Sequence, residues 1–122
     1  MEVLLVALGG AAGAVFRYGI TKAVQPLGGG AFPFGIFVVN LSGAFLLGLV
    51  FTYLLERTAV SDELRLALTV GVLGAYTTFS TFSLDTIHLA QNGNWGLALL
   101  NITASVTGAL AAAYAGQQLA RI

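Results

Sequence analysis

The chain has 122 residues, of which 57% are hydrophobic and only 8% are charged, and its mean hydropathy is +0.90. A soluble globular domain carries about 25% charged residues, so this composition excludes one. Five Lys/Arg balance five Asp/Glu, which leaves no net positive charge to hold nucleic acid. The absence of cysteine and the single histidine exclude thiol catalysis, disulfides and Cys/His metal sites. The composition predicts a membrane protein.

Four apolar stretches follow one another along the chain, each near the length of about 20 residues that crosses a bilayer. They cover residues 3–23, 34–55, 64–90 and 95–119. Turn-forming or charged segments at 25–30, 56–63 and 92–94 separate them. The first stretch could also be a signal peptide, but it lacks a basic start, which favours a retained span. We expect one all-α domain, residues 1–122, with four membrane-spanning helices.

The third stretch differs from the others in length and in its polar centre. Residues 64–91 would form a helix about 42 Å long, which exceeds the thickness of the bilayer core. Five of the seven residues 77–83 carry hydroxyls, which compete for backbone hydrogen bonds. This pattern predicts a helix broken at mid-membrane near Thr77. Freed backbone is tolerated at that depth only inside protein or beside a watery cavity, so the segment is expected to face the interior of an assembly.

The positive charges are almost evenly divided between the two sides that four spans define. The side with both termini carries Arg57, Arg65 and Arg121, and the other side carries Arg17 and Lys22. A difference of one charge does not fix orientation under the positive-inside rule. The sequence therefore predicts dual topology and an antiparallel homodimer, in which the middles of the two third spans meet near the axis.

Polar residues without full charge are the main candidates for handling a transported species. The spans contain Asn40, Ser80, Thr81, Ser83, Asn101, Thr103 and Ser105. Such neutral donors suit a small anion. Asp85 is the one carboxylate well inside a span, which argues against proton-coupled cation transport of the kind that small multidrug exporters perform with an acid in the first helix. We do not expect an enzyme.

Several of these residues have two interpretations on sequence alone. Phe79 and Phe82 lie three positions apart and either line a pore with their partly positive ring edges or are ordinary buried aromatics. Asn40 either contacts a ligand or joins helices, and for Asn101 joining helices is the better interpretation. Carbonyl oxygens around Gly74 and Thr77 either form a cage for sodium or bond to neighbouring helices.

Two charged residues also have more than one interpretation. Arg17 either anchors its helix at the interface or attracts anions into a vestibule. Asp85 is expected to accept hydrogen bonds from nearby hydroxyls, and His88 to lie at the interface. A non-conducting membrane scaffold, in which the small and hydroxyl residues serve assembly, remains the alternative from another class.

Three strings resemble one known family. They are Gly-Ala-Val-Phe-Arg-Tyr at 13–18, Val-Asn at 39–40 and Gly-Ala-Tyr-Thr-Thr-Phe-Ser-Thr-Phe-Ser at 74–83. In this order and spacing, over essentially the whole chain, the sequence resembles the Fluc (CrcB) fluoride channels. The resemblance implies an antiparallel, dual-topology homodimer in the inner (plasma) membrane of microbial cells, with two pores through which fluoride leaves passively.

The resemblance also implies roles for individual residues. Phe79 and Phe82 would line the pore, Asn40 would donate to the ion, and the hydroxyls of Ser80, Thr81 and Ser83 would lie beside the path. The carbonyls of Gly74 and Thr77 from both subunits would hold a structural sodium ion. The remaining candidates would contribute to a track of polar groups beside the pore or to a vestibule at its mouth; they are Asp85, Asn101, Ser105 and Arg17.

Three positions depart from the family pattern. Asp85 stands where many members have Glu, Ile36 where Thr is frequent, and Asn101 where some members have Tyr from the fourth helix. The shorter Asp85 side chain weakens the case for a direct role beside the pore. The donors near the aromatic pair are expected to be rearranged around Asn101.

Overall fold

The computed structural model describes residues 1–56 and 59–122, so Arg57, which enters the charge count, lies outside the described residues. The helices are α1 (Glu2–Val24), a 3₁₀ turn (Gln25–Gly28), α2 (Phe34–Glu56), α3 (Asp62–Leu66), a π-helical segment (Ala67–Leu73), α4 (Gly74–Tyr76), α5 (Phe79–Gln91) and α6 (Trp95–Ala120).

Within this described part, four helical stretches are long and apolar enough to cross a membrane. They are Glu2–Gly28, Phe34–Glu56, Asp62–Gln91 and Trp95–Ala120. The prediction of four spans in an all-helical protein is confirmed. Large apolar side chains such as Val15 and Leu110 are mostly exposed on the protomer, as expected for surfaces that face lipid or a second copy.

Two of the predicted turns contain a glycine in the left-handed region, where other residues are strained. Gly29 has φ 64° and Gly93 has φ 82°. The first turn is held by Gln25, whose side-chain nitrogen donates to the Phe32 carbonyl at 2.9 Å and whose side-chain oxygen accepts from the Gly35 amide at 2.8 Å. The chain therefore reverses tightly after α1 and enters α2 at a defined point.

Small residues let the spans pack closely in two pairs. α1 packs on the π-helical segment, where a Cβ atom at Gly13 would overlap the carbonyl oxygen of Val72. α2 packs on α6, where Gly48 faces the main chain of Ala113. The two helices of each pair run parallel, because the first and third spans cross in one direction and the second and fourth cross in the other. At the far end of the second pair, Arg121 is 3.2 Å from Glu56, which ties the end of α6 to the end of α2.

The third span changes its backbone conformation twice. α3, the π-helical segment and α4 follow one another with helical angles as far as Tyr76. Thr77 (φ −87°, ψ 157°) and Thr78 (φ −150°, ψ 118°) are extended, and helical structure resumes at Phe79. Two extended residues thus separate α4 from α5 in the segment where the hydroxyl-rich string lies.

Candidate functional site

Asn40 of α2 makes a reciprocal pair of hydrogen bonds with the main chain of Thr78. Its Nδ2 donates to the Thr78 carbonyl at 3.0 Å, and its Oδ1 accepts from the Thr78 amide at 2.8 Å. Both main-chain groups of an extended residue are thereby satisfied, which an apolar surrounding requires. Asn40 therefore joins α2 to the extended segment, and the second hydrogen on Nδ2 leaves it capable of donating to a ligand as well.

Thr78 caps the first turn of α5 with its side chain. Its Oγ1 accepts from the Thr81 amide at 3.1 Å and donates to the Thr81 hydroxyl at 3.1 Å, and the Ser80 hydroxyl lies 3.2 Å away. Threonine is a favoured residue at this position because its hydroxyl replaces a missing helical partner. The predicted hydroxyl cluster at Ser80 and Thr81 is thus organised around Thr78, which the sequence interpretation did not single out.

Phe79 and Phe82 form a tilted aromatic pair at the start of α5. Their ring centroids are 5.4 Å apart with an interplanar angle of 42°. Phe82 is buried at 9% exposure, whereas Phe79 is 77% exposed on the protomer. The two rings therefore differ in surroundings, and Phe79 presents most of its surface outward.

A groove of about 360 Å³ lies beside this pair, between α2, α5 and α6. Phe79, Phe82, Asn40 and Ser105 border it together with Thr77 and Thr78. The rest of its wall consists of small and apolar residues, namely Ala44, Leu47, Val106, Ala109 and Leu110. The structure thus brings five of the predicted site residues to one groove, Thr77 included, with aromatic rings and neutral polar groups in an apolar wall.

Other predicted residues lie outside the lining of this groove. Ser80 is exposed and Thr81 half-buried. Ser83 donates to the Phe79 carbonyl at 2.9 Å, which stays within α5. Their predicted place beside an ion path is not tested by these contacts.

Asp85 and Arg17 border separate depressions. Asp85 lies with His88, Asn92 and Asn94 at a polar pocket near the end of α5. Arg17 borders a shallow depression with Tyr18, Lys22 and the buried Ile36. Neither charged side chain reaches the groove, so its described lining carries no full charge.

Gly74 and Thr77 precede the point where helical hydrogen bonding is diverted. In an unbroken α-helix the amide of Thr78 would donate to the Gly74 carbonyl, and the amide of Thr81 to the Thr77 carbonyl. Here Thr78 donates to Asn40 and Thr81 to the Thr78 hydroxyl. These two carbonyls are therefore chemically suited to a hard cation, which prefers oxygen ligands.

A further set of contacts links α5 to α6, one helical turn after Phe82 along α5. Asn101 is 2% exposed and its Nδ2 donates to the Thr86 hydroxyl at 2.9 Å. Thr86 in turn donates to the Phe82 carbonyl at 2.8 Å. The expectation that Asn101 joins helices agrees with this contact. Thr86 was missed, although its position four residues after Phe82 on the same helix face could have indicated it.

Four helices able to cross a membrane, together with an apolar groove lined by two aromatic rings and uncharged polar groups, define a multi-pass membrane protein with the lining expected of a small-ion channel. The chain matches the family model described as CrcB-like protein, Camphor Resistance (CrcB), over residues 4–117. The chain belongs to this CrcB family, as its motifs predicted.

Named relatives match over nearly the whole chain. The fluoride-specific ion channel FluC of Magnetococcus marinus is 49% identical over 122 residues, which is 100% of this chain and 99% of the relative. FluC 1 of Moorella thermoacetica is 46% identical over 122 residues, 100% of this chain and 87% of the relative. FluC of Geobacter sulfurreducens is 47% identical over 119 residues, 98% and 96% of the two chains.

Proposed function

We propose that this chain forms a fluoride-specific ion channel that lets fluoride leave the cell passively, down its electrochemical gradient, and so relieves fluoride toxicity. The observation that carries the proposal is the single groove that Phe79, Phe82, Asn40 and Ser105 share. Membership of the CrcB family and relatives named as fluoride-specific channels support it. No chemical conversion is needed, so the protein acts as a channel and not as an enzyme.

The chemistry of the groove suits fluoride because this ion is small and strongly hydrated. Entry requires donors that replace its water, and the second Nδ2 hydrogen of Asn40, with hydroxyls that would turn from their protein partners toward the ion, supplies them without a full positive charge. A lysine or arginine in the path would hold the ion too tightly, whereas conduction requires sites from which it can leave. The partly positive edges of Phe79 and Phe82 add weak attraction in a narrow apolar wall.

The conducting unit in this proposal is an antiparallel, dual-topology homodimer in the inner membrane. Thr77 and Thr78 then interrupt the third span at mid-membrane, near the two-fold axis. The exposure of Phe79 on the protomer supports this arrangement, because a second copy would cover a ring that otherwise faces lipid beside the groove. Ser80, Thr81 and Ser83 then lie beside the path, with Asp85 and Arg17 at its ends.

Sodium is the structural ion in this proposal. The carbonyls of Gly74 and Thr77 would hold it, because the amides that would occupy them in a helix donate elsewhere. Bound there, the ion would neutralise carbonyl dipoles that face one another across the dimer axis. It would be structural and not transported.

The decisive experiment measures fluoride efflux from liposomes that contain the purified protein, with chloride as the control ion. We expect fast fluoride release and little chloride release. Phe79→Ile and Phe82→Ile should each slow fluoride release about tenfold, the effect of roughly 1.4 kcal/mol at the limiting barrier. Phe51→Ile is the matched control, since Phe51 is exposed on α2 and borders a different groove.

The other outcomes separate the alternatives. A wild-type protein that releases no fluoride in sodium would favour the membrane scaffold, and proton-coupled cation uptake that depends on Asp85 would favour an exporter. If the wild type conducts and both phenylalanine variants match it, the channel stands and the aromatic lining is wrong. Efflux that is unchanged when a large organic cation replaces sodium would contradict the sodium site.

A further inference from the structure

Asn101, Thr86 and Ser105 form a hydrogen-bond chain that touches the groove wall at two points. Asn101 lies in its middle, with Nδ2 donating to Thr86 at 2.9 Å and Oδ1 accepting from Ser105 at 3.1 Å. At one end, Thr86 bonds the carbonyl of Phe82 at 2.8 Å. At the other end, Ser105 borders the groove itself.

The direction of each hydrogen bond in this chain is fixed by the number of protons available. Because Thr86 accepts from Asn101, its own hydroxyl proton points to the Phe82 carbonyl. Because Asn101 Oδ1 can only accept, Ser105 must give it the one proton of its hydroxyl. The Ser105 hydroxyl therefore has no free proton to offer an anion in the groove while it is bonded to Asn101.

An anion that reaches Ser105 must compete with Asn101 for that proton. A hydrogen bond to an ionised acceptor is about twice as strong as one between neutral groups. The hydroxyl would therefore turn toward fluoride, and the free energy of the lost bond to Asn101 would be subtracted from the affinity. A site weakened in this way releases its ion more readily, as conduction requires.

We propose that Asn101 and Thr86 are positioning residues of the fluoride path, a proposal that rests on the proposed channel function. Asn101 accepts the Ser105 proton, which becomes available only when that bond breaks. Through Thr86, Asn101 also helps to hold the main-chain carbonyl of Phe82 in place. The buried Asn101 amide thereby influences both the position of Phe82 on α5 and the orientation of the Ser105 hydroxyl on α6. Neither Asn101 nor Thr86 borders the groove, so both act through other residues.

The test records fluoride current through the reconstituted channel as a function of fluoride concentration. Asn101→Leu, which preserves approximate volume, frees the Ser105 proton, so the half-saturating fluoride concentration should fall about tenfold and the maximal current should fall too. Adding Ser105→Ala to this variant should remove the shift in half-saturation. A purely structural defect would lower the current without moving the half-saturation point.

Thr86 provides the second arm, which does not depend on the Asn101 variant folding. Thr86→Val should lower the current about tenfold, and Thr86→Ser should restore it because the hydroxyl is retained. Thr107→Val is the matched control, since Thr107 makes the same contact to the carbonyl four residues earlier, at 2.6 Å, on the exposed face of α6.

Three results are distinguishable. A Thr86→Val current within twofold of wild type, or an Asn101→Leu half-saturation point that stays unchanged, would overturn this inference while the channel stands. Loss of current in Thr107→Val equal to that in Thr86→Val would also overturn it. A wild type that passes no fluoride would overturn the proposed function itself.

Discussion

At the scale of single residues, Thr78 makes hydrogen bonds with its amide, its carbonyl and its side chain, and these bonds position the segment before α5. Its amide and carbonyl bond Asn40, and its hydroxyl caps α5 at the Thr81 amide. The residue therefore links α2, the extended segment and the helix that carries both aromatic rings. A change at Thr78 is expected to move the start of α5 and with it the groove wall.

Removal of the Thr78 hydroxyl gives a direct test of this role. Thr78→Val should lower the free energy of unfolding by about 1 kcal/mol, the usual cost of a lost helix cap, and should slow fluoride efflux. Thr78→Ser should keep both properties near wild type. Thermal unfolding in detergent and liposome efflux measure the two effects.

The matched control for this pair is Thr103→Val, because Thr103 is exposed on α6. If Thr103→Val is as harmful as Thr78→Val, the loss reflects removal of any hydroxyl from a span. Equal stability of Thr78→Val and Thr78→Ser would contradict the capping role.

Sequence and structure contribute differently to these residue roles. The hydroxyl-rich string and the cost of an amide in an apolar span indicated which segments matter. The string could not show that Asn40 bonds Thr78, because the two residues are 38 positions apart and meet through the packing of α2 on the third span. For the same reason the link from Asn101 to Thr86 became visible only in three dimensions.

At the scale of elements, the third span depends on α1 for its position. Gly9, Gly13 and Gly71 allow the main chains of α1 and the π-helical segment to approach closely. A π-helical stretch is uncommon and each of its hydrogen bonds spans one residue more than in an α-helix, so its neighbours must accommodate a wider backbone. The glycine face of α1 provides that room.

A single added methyl group tests this contact. Gly13→Ala should lower the free energy of unfolding by about 1–3 kcal/mol, because its Cβ would overlap the Val72 carbonyl oxygen and neither main chain can move freely. Gly19→Ala on the same helix should not lower it, since no described atom outside the local helix lies within 4 Å of the added group and alanine is favoured over glycine in a helix by about 1 kcal/mol. Thermal unfolding in detergent compares them.

The same two variants also test whether the packing of α1 affects the proposed fluoride path. Because α4 and the extended pair follow the π-helical segment directly, Gly13→Ala should slow fluoride efflux more than Gly19→Ala does. Equal stability and equal efflux of the two variants would contradict the dependence of the third span on α1.

At the scale of the whole molecule, the balance of charge is expected to control assembly. The difference of three positive residues against two leaves orientation undetermined, and the proposed dimer needs both orientations. Glu2→Lys with Gln118→Lys would raise the terminal side to five, at two positions that are exposed. This variant should insert in one orientation and lose most fluoride efflux.

Rescue by an oppositely biased partner makes the prediction specific. Ala31→Lys with Asn92→Lys and Arg121→Gln would favour the other orientation, using loop positions that are exposed. Each variant alone should show a C-terminal reporter on one side, and co-expression of the two should restore fluoride resistance. Full activity of either variant alone would contradict an antiparallel dimer.

The sequence by itself determined the class of this protein, its four spans, the turns between them and its family. These properties follow from local chemistry, since the transfer of about 20 apolar residues into lipid and the backbone freedom of glycine depend on neighbours along the chain. The tertiary structure alone decided which polar groups are satisfied by which partners. Asn40 with Thr78, and Asn101 with Thr86, meet only when the spans pack, because these hydrogen bonds require contact at about 3 Å between residues on different helices or segments of the chain.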